Sequence, residues 1–407
     1  MSEEKNVPNI RFKGFTDPWE QRKLDDVSSK VTEKNKSKKY TETLTNSAEH
    51  GIIKQYDFFD KSISNSNSIT SYYVVKRDNF VYNPRISTAA PVGPINRNRL
   101  NIIGIMSPLY YVFEATNIDK SYLEYYFKTT KWHNFMKIEG NTGARSDRLA
   151  IKDKVFVKMP IPYPKVKEQK QIGELFESVD TTIALHQQKV TQLKELKKLL
   201  MQKIFDQEWR FKGFTDPWEQ RKLGELTENF EYGLNATAKE FDGVHKYIRI
   251  TDIDDSSHVF LQDKLTSPDI DFNNANNYKL REGDILFTRT GASVGKSYRY
   301  LEKDGRVYFA GFLIRARVKH DYNSEFIFQN TLTHSYKKFV GITSQRSGQP
   351  GINAKEYASF KISVPNTEEQ AAIGKLLKGV DITIALHQQK VDQLKELKKY
   401  LMQNLFV

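Results

Sequence analysis

RFKGFTDPWEQRKL, residues Arg11 to Leu24, returns letter for letter at Arg210 to Leu223, and TIALHQQKV, residues Thr182 to Val190, returns at Thr383 to Val391. One residue further on, both copies continue with QLKELKK, a Leu or Tyr, and LMQ. The first block recurs after 199 residues and the second after 201, so the two halves match in length and in the order of their parts. Between the repeated edges, Asp25–Lys165 and Gly224–Pro365 share almost no text. A chain that duplicates its frame and changes its contents holds two different things in equivalent positions.

The second block reads as a long helix. From Lys167 to Gln207 there is no proline and a single glycine, Gly173. Val179, Ile183, Val190, Leu193, Leu196, Leu200 and Ile204 fall at three- and four-residue steps, and Val380, Ile384, Val391, Leu394, Leu397, Leu401 and Leu405 copy them. That spacing makes one apolar face suited to pairing with another helix, with Ile183, Val190, Leu193, Leu200, Ile384, Val391, Leu394 and Leu401 as its seam. A helix of about 40 residues is roughly 60 Å long and cannot bury its stripe on a small domain. Two copies can bury theirs on each other. His186 and His387 fill gaps in the stripe and read as polar inserts rather than metal ligands or bases. The first helix runs almost directly into the second copy of RFKGF, which favours an antiparallel pair over a parallel one.

The whole is read as α+β: two α/β domains related by an approximate two-fold and separated by two long antiparallel helices, a coiled-coil-like spacer. The boundaries are 1–165, 166–208, 209–365 and 366–407. Short β-rich runs, Tyr72–Val75, Ile102–Met106, Tyr110–Phe113, Asp284–Thr288 and Phe312–Val318, are broken by Gly, Asn, Asp and Pro. Tyr122–Lys137 and Glu325–Val340 carry aromatic residues at helical steps, and Lys30–Lys39 and Ser62–Ser71 read as exposed loops.

Composition narrows the function. Across 407 residues, Lys and Arg number 63 against 50 Asp and Glu, a net charge of +13 that favours a polyanionic partner, nucleic acid ahead of membrane. There is no cysteine, which removes disulfides, thiolate metal sites and thiol nucleophiles. No apolar run is long enough to span a bilayer and the N-terminus lacks a signal peptide, so a cytoplasmic protein is expected.

Several segments together resemble the specificity subunit of a type I restriction–modification enzyme. Each half opens with GFTDPWEQRKL and ends with a proline-containing strand leading into the helix. REGDILFTRTGASVGKSYRY in the second half is similar to the family's GDIL-x-x-R-x-G-x-x-x-G turn, and VKRDNFVYNPRIS is its counterpart in the first. GNTGARSDRLAIKDKVFVKMPIP and SQRSGQPGINAKEYASFKISVP share the family's layout. The resemblance implies a non-catalytic subunit in which each variable segment is a target-recognition domain for one half of a split double-stranded DNA sequence. The helix pair would fix the unspecified gap. Two modification subunits would carry S-adenosylmethionine and methylate adenine, restriction subunits would carry ATP and Mg and cleave, and no cofactor would sit on this chain.

TGASVGKS, Thr290–Ser297, approaches a P-loop, but its first glycine is one residue late, which leaves only backbone amides and Lys296 to meet a DNA phosphate. Asn83–Arg85 lacks the second proline and the aromatic of an adenine methyltransferase motif. Arginine suits guanine, and Asn or Gln suits adenine. Candidate DNA contacts are therefore Arg85, Arg97, Arg99, Arg145 and Arg148 in the first domain, with Arg289, Lys296, Arg299, Gln345, Arg346 and Gln349 in the second. Trp19 and Trp218 lie in the repeated frame and are expected to pack structurally. Lys189, Lys194, Lys197 and Lys198 are expected on the outer helix face, against partner subunits or phosphates. The competing reading is a tandem scaffold that binds two protein partners without reading DNA.

Overall fold

The computed structural model describes residues 6–59, 69–141 and 146–407. They form two compact units, one of residues up to 187 together with 389–407, the other of residues 188–388. These units cut across the four-part division drawn from the sequence, because each long helix is shared between them.

The repeated opening segment makes the same clamp in each unit. In the first, Glu20–Lys23 pairs antiparallel with Pro160–Tyr163, and in the second Glu219–Lys222 pairs with Lys361–Val364 in the same register. Arg11 then holds the buried Glu168 carboxylate through two hydrogen bonds of 2.7 and 2.9 Å, and Arg210 holds Glu369 through two of 2.9 and 2.6 Å. Each carboxylate stands at the start of a long helix, Val166–Phe205 or Thr367–Asn404.

The two variable segments, unrelated in text, share one sheet. In the first unit β1 (Ser28–Lys30), β2 (Asn79–Tyr82), β3 (Ile95–Arg97) and β4 (Tyr111–Ala115) lie in the order β1-β4-β2-β3. In the second β5 (Thr227–Tyr232), β6 (Ile285–Thr288), β7 (Ser297–Arg299) and β8 (Leu313–Val318) lie in the order β5-β8-β6-β7. All neighbours are antiparallel. Phe80 faces Phe113 and Arg97 across its ladders, as Ile285 faces Ala316 and Arg299, which fixes the equivalence residue by residue.

Tyr122–Lys137 and Glu325–Val340, read as helical, each span two helices. Lys120–Phe127 is followed by His133–Glu139, and Ser324–Asn330 by His334–Thr343. Threonines make the breaks. Thr129 and Thr331 hydroxyls donate back to the carbonyls of Tyr126 and Phe328, and Thr333 then caps the next helix by accepting from the Tyr336 amide. The helices Lys120–Phe127 and Ser324–Asn330 start against the long ones at an equivalent glycine. A Cβ at Gly173 would lie 2.9 Å from Asp119 Oδ1, and one at Gly374 would lie 2.8 Å from Asn323 Oδ1. Only glycine permits that approach, which accounts for the single glycine in an otherwise unbroken helical sequence.

Within each unit the long helices run antiparallel. In the first, Val179 and Ile183 pack on Val391 with Leu175 and Leu394 beside them, and Phe176 reaches Phe406. In the second, Ile204 and Leu200 join the core that contains Ile373 and Leu377. Of the expected seam, Ile183, Val190 and Val391 are buried, and Leu193, Leu200, Ile384, Leu394 and Leu401 are half-buried. Leu196 and Leu397, however, are 45% and 46% exposed. The seam keeps a seven-residue step, Ile183, Val190, Lys197, Ile204 and Ile384, Val391, Lys398, Leu405, so a lysine stands where the apolar reading placed its neighbour. Lys197 binds Asp381 at 2.7 Å and Lys398 binds Asp180 at 2.5 Å. Lys197 is thus part of the seam rather than the outer face, while Lys189, Lys194 and Lys198 are exposed as expected. Asp180 also accepts from the Tyr125 hydroxyl and Asp381 from the Gln329 amide, tying each variable segment to the helix pair at equivalent points.

Trp19 and Trp218 complete the frame as expected. Trp19 stands edge-on to Tyr122, which meets Phe406; Trp218 stands edge-on to Phe326, which meets Phe205.

Candidate nucleic-acid interface

A rim forms where β6 runs out of its sheet. The Arg289 amide donates to the Phe312 carbonyl at 3.1 Å, and the Arg289 carbonyl accepts from Ile352 at 2.9 Å. Its guanidinium lies 4.9 Å from the centre of the Tyr232 ring, an arrangement that holds the cation in place without neutralising it. Tyr232 is fixed in turn by the Ala354 amide, which donates to its hydroxyl. Next along, Thr290 bridges to Gly351 and the Gly291 amide donates to Pro350, placing Gln349 beside the loop. The rim therefore gathers Arg289, Gln349, Tyr232 and the exposed ring of Phe312. Gln345 and Gln349 are exposed. Arg346 folds back on its own loop, with two hydrogen bonds of 2.6 and 2.7 Å to Glu356.

The first unit builds the same rim from other residues. Arg85 bridges to Arg148, equivalent to the Thr290–Gly351 bridge, and the Leu149 amide donates to Pro84 as Ile352 does to Arg289. Asp147 lies 3.6 Å from Arg85 and 3.9 Å from Arg148, so one carboxylate faces two guanidiniums. Arg145 lies outside the described residues, as do residues 62–68 of the Ser62–Ser71 loop.

The remaining candidates are held by internal partners. Arg97 is tied to Asp78, Ser121 and Glu124. At the equivalent position Arg299 is buried between Glu282 at 3.0 Å and Glu325 at 2.9 Å. Arg99 spans Glu124 and Glu177; burial opposes its charge, but the two carboxylates outweigh that and raise its pKa above the ordinary guanidinium value. Lys296 donates to the Ile253 carbonyl and to Asp255, both at 2.7 Å. The glycine-rich loop beside it is tied down by its own backbone. The amides of Gly291, Val294, Gly295 and Lys296 all find acceptors within the protein. Gly295 instead serves packing: with φ at +86°, it has Val340 Cγ1 within 2.6 Å of where a Cβ would stand.

Two residues of the rims, Tyr232 and Phe312, are absent from the sequence-based set. Phe312 had a signal: it opens an unbroken apolar run, Phe312-Leu313-Ile314, at a strand start, where alternate residues cannot all face one core.

A second surface lies on the long helices. Leu185 and Leu386, equivalent in the repeat, are each 60% exposed, and Leu196, Leu199, Leu397 and Tyr400 are exposed around them. Exposed apolar side chains thus stand at equivalent positions of the repeated helix text. Among the described residues, no group of His, Asp and Glu could hold a metal ion, and no helix is long and apolar enough to cross a membrane.

Comparison with known proteins agrees with this architecture. Residues 16–195 and 215–396 each match the type I restriction modification DNA specificity domain. The chain is 26% identical over 319 residues to the type I restriction enzyme MjaVIII specificity subunit of Methanocaldococcus jannaschii, covering 74% of this chain and 72% of that one. It is also 26% identical over 286 residues to the EcoKI specificity subunit of Escherichia coli, covering 66% and 59%. The crystal structure of the type I restriction–modification S subunit from M. genitalium superposes with a TM-score of 0.65 at 14% identity, over 98% of this chain and 99% of that one. With both repeats matched and the fold shared from end to end, the chain belongs to the type I restriction–modification DNA specificity family.

Proposed function

We propose that the protein is the DNA-reading subunit of a type I restriction–modification complex, each unit recognising one half of a bipartite target. One observation carries this: two unrelated segments fold onto one topology, so equivalent rims present different side chains, Arg85 and Arg148 in one and Arg289 and Gln349 in the other. A shared scaffold with exchanged edge residues is what reading two different sequences requires. Arg85, Arg148, Arg289, Gln345 and Gln349 are the base-edge readers in this account, with arginine paired to guanine O6 and N7 and glutamine to adenine N6 and N7. Arg97, Arg99, Arg299 and Lys296 support the rims from within, and Arg346 shapes the loop that carries Gln345 and Gln349.

The chain contributes recognition and no catalysis. Adenine methylation with S-adenosylmethionine, and ATP- and Mg-dependent cleavage, belong to the modification and restriction subunits. The apolar face duplicated at Leu185 and Leu386 supports two modification subunits, one for each repeat. Such a complex works in the cytoplasm, where the chromosomal DNA lies.

The test is binding of the chain with its modification partners to duplex DNA over a salt series. A DNA reader loses affinity steeply as salt rises, with a logarithmic slope of about −0.9 for each phosphate neutralised. Arg289→Ala should cost about 1–3 kcal/mol on the cognate sequence and relax discrimination at one position. Salt-independent association with protein partners alone would favour the tandem scaffold.

A further inference from the structure

The tight turn that leads into the last strand of each sheet exposes a large apolar side chain at the same place. Leu109 stands four residues before Phe113, and Phe312 four residues before Ala316, the two residues that face Phe80 and Ile285. Leu109 is 59% exposed and Phe312 63%, whereas Tyr111 and Ile314, two residues beyond them, are buried. A single exposed apolar residue on a protein surface needs no explanation. The same exposure at one register position, in two segments with no common text, does need one.

The turn is built to hold this side chain out. The Leu313 amide donates to Ala310 at 2.8 Å, the Gly311 amide to Leu234 at 2.7 Å, and the Phe312 carbonyl accepts from Arg289 at 3.1 Å. In the first unit the Tyr110 amide donates to Ser107, and the Tyr110 hydroxyl is anchored 3.2 Å from Thr45 Oγ1. The backbone is thus fixed on both sides while the ring of Phe312 and the side chain of Leu109 stay in solvent. In the second unit the backbone of Phe312 is hydrogen-bonded to that of Arg289, the arginine of the rim. A rigid apolar projection next to a base-reading arginine has the chemistry of a wedge into a base stack, a role that Phe and Leu both fill.

We propose that Phe312 and Leu109 are wedge residues, each pressing between two base pairs at one step of its own half-site. The wedge opens the stack and, in the second unit, sets the register from which Arg289 reads. Specificity then includes the ease of unstacking that step, which is least costly at pyrimidine–purine steps. This inference rests on the DNA-reading role proposed above.

The test uses the complete complex with its modification subunits and a duplex carrying the sequence that the complex methylates in cells. 2-Aminopurine is placed at successive positions of each half-site. The wedge predicts a rise in fluorescence at one step per half-site. Phe312→Ala should abolish the rise in the second half-site only and Leu109→Ala in the first only, each weakening binding roughly 10- to 100-fold, the range for losing one base-stacking contact. Phe312→Leu should keep most of both signals. A rise that survives Phe312→Ala overturns the proposal. So does a loss reproduced by replacing one thymine with uracil, which would mark a methyl contact, and so does a loss of modification-subunit binding with base stacking unchanged. If Arg289→Ala weakens the second half-site and Phe312→Ala does not, the wedge is wrong and the reading rim stands. If neither matters, the rim itself is wrong.

Discussion

Replacing Phe406 by alanine should unfasten the first unit and leave the second intact. The ring is 2% exposed and stacks on Phe176 at a centroid distance of 5.8 Å, with Tyr122 at 5.6 Å and Tyr126 at 6.2 Å. It lies just past the end of the second long helix, in a core made with residues from Trp19 to Phe176. Removing a buried phenyl ring from such a site costs about 3–5 kcal/mol, the lost transfer energy plus a cavity that its three aromatic neighbours cannot refill. For a unit of about 200 residues, each kcal/mol lowers the melting temperature by about 2–4 °C, so a fall of about 10 °C follows. Hydrogen exchange combined with thermal unfolding makes the assay. Amides of β1 to β4 should lose protection while those of β5 to β8 keep theirs. An unchanged melting temperature, or equal loss in both sheets, would refute the assignment of residues 389–407 to the first unit.

Leu185→Glu and Leu386→Glu should leave stability within about 0.5 kcal/mol, since both side chains are exposed, but each should remove one of two modification subunits from the complex by native mass spectrometry. Burial holds the His258 imidazole below its ordinary pKa of 6.5, with Lys197, Lys296 and Lys337 acting in the same direction against the opposing hydrogen bond to the Ser297 carbonyl. The unfolded histidine therefore takes up a proton first, so stability is full above pH 6.5 and declines as pH falls below it. Urea unfolding of the second unit at a series of pH values should show that decline, and His258→Asn, which tolerates the left-handed φ of 56°, should flatten it.

How much of this was legible in the sequence depended on repetition. Exact repeats exposed the frame: the Trp19 and Trp218 packing and the long helices follow from text that occurs twice, whereas the pairing of the clamp strands was not read. The common topology of the variable segments was hidden, because an antiparallel sheet accepts any buried residue at a position and Phe80 and Ile285 serve alike. Periodicity placed the seam but chose Leu196 over Lys197. A lysine can bury its stem and pair its ammonium with an aspartate from the facing helix, which hydropathy does not see. Arginines were found as residues but not sorted. Arg289 and Arg299 look equal in sequence, yet ladder alternation turns Arg299 inward onto Glu282 and Glu325, while Arg289 lies past the last pair of its strand. Phe312 and Tyr232 were passed over because aromatic residues in β-rich runs read first as core.

The central claim is that two independent readers share one frame, and a segment exchange tests it most directly. Residues 25–165 are replaced by the corresponding segment of a relative with a different target, and adenine methylation is mapped across the genome of cells carrying the hybrid with its partner subunits. The account predicts that one half of the methylated sequence changes to the donor's while the other half is retained. A hybrid that folds and methylates but changes both halves together, or neither, would contradict it.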